Sequence, residues 1–99
     1  LRKGISLKVK VSTAGALTKS LPNGQDIIEG ETITVQGLLE RLITKHGPLM
    51  AKELLHQGKL REGLVLLVNG MNVLSLPEKF DTLLKDGDEL LIAIIVAGG

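Results

Sequence analysis

The residues with the most chemical promise are the last two, Gly98 and Gly99, reached from an apolar run at residues 90–95 through Val96 and Ala97. A strand that flows without a turn into paired glycines presents its carboxylate on a thin stalk. Glycine has no Cβ, so such a stalk enters channels closed to any other residue. The expected reactive group is therefore the Gly99 carboxylate, with Val96, Ala97 and Gly98 as the segment that threads. A frayed terminus is the plain alternative.

Other side chains offer little chemistry of their own. The chain has no cysteine, hence no thiolate nucleophile, disulfide or thiolate metal site. His46 and His56 stand apart, each just before or near a glycine, where a helix C-terminus favours a cation. Asp86 and Asp88 flank Gly87, and with only Glu89 nearby they read as a turn, not as a metal site. Asn69-Gly70 is a turn dipeptide. Lys8 and Lys10 suit a solvated strand face, or a face that orients an acidic partner. No metal is expected.

At 99 residues the chain is read as one domain, 1–99, with a flexible tail at 96–99. Hydrophobic residues make up 43%, yet Phe80 is the one aromatic residue, so the core must be aliphatic. Twelve basic and eleven acidic residues are interspersed, giving a net charge of +1. Without a basic block or stacking aromatics, nucleic acid is not an expected partner. No apolar stretch reaches the roughly 20 residues of a membrane span. With no signal peptide in view, the expected compartment is the cytoplasm.

The elements that must position the tail follow from periodicity. Ile5, Leu7, Val9 and Val11 alternate with polar residues, which predicts a strand with one wet face. A turn at Leu21-Pro22-Asn23-Gly24 leads to a short strand at 26–29, or one kinked through Gly30. Thr34 is placed to cap a helix whose apolar stripe is Val35, Leu38, Leu39, Leu42 and Ile43. Gly47-Pro48 ends it. A weaker helix is expected at 49–57, stopped by Gly58. Strands are then expected at 64–68, at 72–74 and, after the Asp86-Gly87-Asp88 turn, at 89–96. Residues 76–84 read as mostly loop, with room for a turn of helix, anchored by Phe80. The order β-β-α-(α)-β-β-β implies an α+β fold, a mixed sheet of four to five strands packed on one main helix, with the first and last strands as central neighbours.

Val68-Asn69-Gly70 with Asn72-Val73, Asp81-Thr82 and Leu84, Lys85-Asp86-Gly87-Asp88-Glu89 and the terminal Val96-Ala97-Gly98-Gly99 resemble the β-grasp, ubiquitin-like sulfur carriers. The likeness is to the small subunit of molybdopterin synthase and, less closely, to thiamine-type carriers. Relatives carry proline just before the tail, where this chain has Ile94 and Ile95. The resemblance implies that the chain is a carrier and not an enzyme. An activating enzyme of the ubiquitin-activating type would adenylate Gly99 with ATP and magnesium, and a sulfur donor protein would then convert it to a thiocarboxylate. The large subunit of molybdopterin synthase would accept the sulfur. Conjugation to target lysines, as a protein modifier, and an inert β-grasp interaction module are the competing readings.

A docking surface should accompany the tail. The strands at 64–68 and 89–96 are apolar on both faces, so whichever face is left open forms an apolar patch. Ile92, Ile94, Leu66, Val68 and Phe80 are the candidates for it.

Overall fold

The computed structural model describes residues 6–14 and 21–94. Ile5, the small polar stretch 15–20, Ile95 and the tail residues Val96, Ala97, Gly98 and Gly99 lie outside the described residues. Strand β1 spans Leu7–Ala14 and β2 Gln25–Gly30, followed by helices α1 (Val35–His46) and α2 (Pro48–Leu54). Two-residue strands β3 (Leu55–His56) and β4 (Lys59–Leu60) come next, then β5 (Leu64–Val68), β6 (Met71–Asn72) and β7 (Glu89–Ile94). Five of them form one sheet in the order β2-β1-β7-β5-β6, and β3 with β4 makes a separate hairpin. The expected α+β architecture is present.

Helix α1 begins where the sequence places it. The Thr34 side chain accepts from the Gly37 N–H at 3.0 Å, satisfying one of the free donors of the first turn. Val35, Leu38, Leu39 and Leu42 are buried, and Ile43 packs at the margin. Gly47, at φ 78°, closes the helix by donating its N–H to the Ile43 carbonyl. The same residue caps α2, with Pro48 in the first turn. A proline there forfeits only an N–H that had no helical acceptor.

The helices bury one face of the sheet. Val9 and Val11 of β1, Ile28 of β2, Leu66 and Val68 of β5, and Leu90 and Ile92 of β7 join α1, Met50 and Leu54 in one aliphatic core. β1 and β7 run parallel as neighbours, with Val11 opposite Leu90 and Thr13 opposite Ile92. This pairing carries β1 on to Ala14, beyond the polar–apolar alternation that ends at Ser12.

Two local expectations need correction. The second helix stops at Leu54 instead of Gln57, because the chain turns at Gln57 and Gly58, both at positive φ, and pairs Leu55 with Leu60. Two positive φ values match the sense of a tight hairpin, but Gln-Gly is a weaker signal for it than Asn-Gly. The strand expected at 72–74 is only Met71–Asn72, since the Asn72 side chain accepts from the Leu74 N–H at 2.8 Å and curls residues 73–75 into a 3-10 turn. The turn of helix allowed for within residues 76–84 is a 3-10 turn at Lys79–Asp81.

His46 does more than sit near a helix end. Its Nε2 lies 2.7 Å from the Asp26 carboxylate, which also takes Lys45 Nζ at 3.0 Å and the Ile27 N–H at 2.8 Å. Asp26 thus ties the outer strand β2 to the end of α1. Partial burial pushes its carboxyl upward, but the hydrogen bonds from His46, Lys45 and Ile27, with the charge of Lys45, outweigh it and hold the group below the ordinary 3.8. A depressed folded-state pKa contributes stability above the unfolded value, lost as pH falls through the folded one. Asp26→Ala is expected to cost about 1–2 kcal/mol at neutral pH. Urea denaturation should show the gap to wild type closing once the pH drops below the depressed carboxyl value.

Candidate functional site

The candidate site is the end of β7 and the sheet face beside it, because this strand leads to the terminal glycines. β7 is hydrogen-bonded on both sides, by β1 and by β5. Its start is fixed by a network of short bonds. The Asp86 carboxylate accepts from the Lys8 N–H at 2.8 Å, and Asp88 accepts from the Lys85 N–H at 2.7 Å and from Asn69 Nδ2 at 2.9 Å. The Asn69 side-chain oxygen accepts from the Glu89 N–H at 3.0 Å, and Asn69 N–H donates to the Glu89 carbonyl. Asn69, at φ 50°, and the acidic turn therefore pin β1, β5 and β7 at one end. The motif carrying the resemblance has a mechanical use: it sets where β7 starts and so where it delivers its far end.

The helix-free face of the sheet changes character along that direction. At the pinned end, Lys10 pairs with Glu89, and Lys8 pairs with Glu29. Midway, Ser12, Leu91 and Leu67 line up across three strands. At the far end are Ala14, Ala93 and Val65. Leu67, Leu91, Val65 and Ala93 are half-buried with no helix over them, an apolar stripe leading toward Ile94. Apolar surface left partly open in this way is suited to a contact.

This arrangement corrects the proposed docking set. Ile92 is fully buried, Leu66 is 5% exposed and Val68 8%, because the register turns all three toward the helices. Their job is the core. Ile94 and Phe80 pack against that core and are only partly covered. The open face instead carries their sequence neighbours Leu91, Ala93, Val65 and Leu67, which alternation alone could not choose, since both sets are apolar. Lys8 is exposed on the same face, and His56 is exposed on β3. Asp86 and Asp88 serve the turn. No group of three or more metal-ligating side chains gathers among the described residues, and no helix among them is long and apolar enough to cross a membrane.

A mixed five-stranded sheet gripping one main helix, with its central strand leading to Gly-Gly, is the β-grasp architecture of ubiquitin-like sulfur carriers. The chain belongs to the ThiS family, whose family model matches residues 15–99. It is 35% identical over 83 residues to an Archaeoglobus fulgidus protein provisionally described as a sulfur carrier, a match covering 84% of this chain and 93% of that protein. Its structure is similar to that of small archaeal modifier protein 1 (SAMP1) from Methanosarcina acetivorans, with a TM-score of 0.78 at 30% identity, covering 97% of this chain and all of the other. It is also similar to a Pyrococcus furiosus protein provisionally described as molybdopterin converting factor subunit 1, with a TM-score of 0.69 at 27% identity, covering 91% and 99% of the two chains.

The two faces should separate on mutation. Ile92→Ala is expected to lower unfolding free energy by about 2–5 kcal/mol, the cost of a cavity in a closed core. Leu67→Ser, on the open face, should cost less than half as much in the same urea titration. Equal losses would mean that the open face is covered.

Proposed function

We propose that this chain is a sulfur carrier whose Gly99 carboxylate is charged by a partner, most directly for molybdopterin or tungstopterin synthesis. The observation that carries this reading is the apolar stripe at the far end of β7, which gives an enzyme something to hold while the tail reaches its active site. Family membership supports sulfur transport, and the Pyrococcus likeness supports the pterin route.

The chemistry needs outside help at each step. A carboxylate is a poor electrophile, so an oxygen of Gly99 attacks the α-phosphorus of ATP, and magnesium pyrophosphate leaves. Sulfide then attacks the acyl carbon and expels AMP, leaving a thiocarboxylate. If the donor is a protein persulfide, the acyl disulfide formed first is cleaved by a second thiol. The chain has no cysteine, so the transferred sulfur comes from outside it, as sulfide or from a donor protein. ATP and magnesium belong to the activating enzyme, the carrier binds no cofactor of its own, and the reaction runs in the cytoplasm, where ATP is supplied. The large subunit of molybdopterin synthase is the proposed acceptor, and the catalysis is that of the partners.

The described strand ends at Ile94, five residues before Gly99. Extended, five residues span about 17 Å, enough to enter a buried site. The likeness to an archaeal modifier protein favours a second reading, in which the same activated glycine is passed to a lysine.

Intact mass after incubation with ATP, sulfide and the cognate activating enzyme tests both. A gain equal to replacing one oxygen by sulfur supports the carrier, a ladder of conjugates supports the modifier, and an unchanged mass rejects both. Gly99→Ala is expected to abolish adenylation, and a normal rate of acyl-adenylate formation would count against the proposal.

A further inference from the structure

The helix-facing side of the molecule holds a second feature that neither the tail nor the open sheet face uses. Strand β6 pairs only with Leu67 and Val68 before the chain curls away at Val73. Among the described residues no strand runs beside Leu64 and Leu66 at that edge, and a cavity of about 250 Å³ opens there. Its walls are Leu60, Leu64, Leu66, Leu74 and Phe80, and Arg61 is its one ionisable lining residue. Leu74, one of its lining residues, is 62% exposed, so an incoming apolar group would meet it first.

Size and charge narrow what can sit in it. Small-molecule sites usually measure about 300–1,000 Å³, so this cavity is scaled to one or two aliphatic side chains. Arg61 is held in place: its Nε donates to the Lys52 carbonyl at 3.2 Å, near the end of α2. In the adjoining cleft along the β3–β4 hairpin Lys59 offsets Glu62, which leaves Arg61 as the excess cation. The Asn72 oxygen is already engaged with the Leu74 N–H. An apolar anchor followed by a carboxylate is the complement of this surface, in the manner of a hot-spot pocket ringed by a fixed cation. Its position names the partner that would bring it. Leu64 is paired with Ile94, the last described residue before the tail, so the cavity opens beside the strand end that leads there.

From these features we infer that the cavity receives an apolar side chain with an adjacent acidic residue from the activating enzyme, so that the enzyme grips the carrier on both sides of the tail's root. The identity of the occupant rests on the reading that Gly99 is adenylated. The pocket chemistry does not.

Two measurements separate them. The full chain, labelled with nitrogen-15, is titrated with an acetylated peptide of alternating leucine and aspartate, and with a control peptide carrying lysine for aspartate. Amide shifts confined to Leu60, Arg61, Leu64 and Leu74, seen with the acidic peptide and lost in Leu74→Glu, are expected. Absent shifts, shifts elsewhere, or an equal response to the lysine peptide overturn the pocket. In the adenylation assay, Leu74→Glu should raise KM for the carrier about tenfold at unchanged kcat, the loss of one anchor contact. An unchanged KM overturns the assignment of the occupant. So does a wild-type chain that is never adenylated, and in that case the titration still decides whether the pocket takes an acidic ligand.

Discussion

The parallel pairing of β1 with β7 is the constraint from which the other features follow. It joins the first described strand to the last, across nearly the whole sequence, and places β7 in the middle of the sheet with a strand on each side. Such a strand has no free backbone edge and no freedom of register, because a one-residue slip would turn Leu90 and Ile92 out of the core and Leu91 and Ala93 into it. The hydrogen bonds at Asn69, Asp86 and Asp88 reinforce the same choice at the strand's beginning. On the proposed reading, in which the working group hangs from this strand, the molecule gains from that. The body can be small, since its task is to hold one strand in one place.

The two faces of that strand divide the labour. Toward the helices it supplies Leu90 and Ile92, both fully buried. Away from them it supplies Leu91 and Ala93 to a half-buried apolar stripe whose charged neighbours, among the described residues, lie at the pinned end. The polarity gradient along one face gives the molecule a direction. A partner that buries the apolar part is led toward Ile94, not toward the acidic turn.

Much of this was legible in the chain. Thr34, the 35–43 stripe and Gly47-Pro48 delimit α1 because cap, periodicity and stop agree on one element. Asn69-Gly70 and Asp86-Gly87-Asp88 are turns for the reasons their residue types give. The central placement of the first and last strands follows from their apolar content. What alternation could not decide was the orientation of two strands that are apolar on both faces, so Ile92, Leu66 and Val68 were expected where Leu91, Ala93 and Val65 stand. That choice is made by the register with β1, whose Val9 and Val11 face the helix. The Asp26–His46 contact was equally hidden, since it joins residues twenty apart that carry no pattern between them. The short hairpin at 55–60 escaped because it turns on Gln57-Gly58, and the cavity beside β5 exists because a strand ends two residues early.

The place of β7 in the sheet has a consequence for how the protein is made. The middle strand follows every other described element along the chain, so it is the last to leave the ribosome. Until it does, β1 with β2 and β5 with β6 are two separate ribbons with nothing between them, and two-stranded ribbons are marginal in water. Closure depends on contacts that are distant in sequence, which slows folding relative to a helical domain of this size. A polypeptide cut short before residue 89 has no completed sheet to show to a partner. Synthesis through β7 is thus a precondition for a folded body.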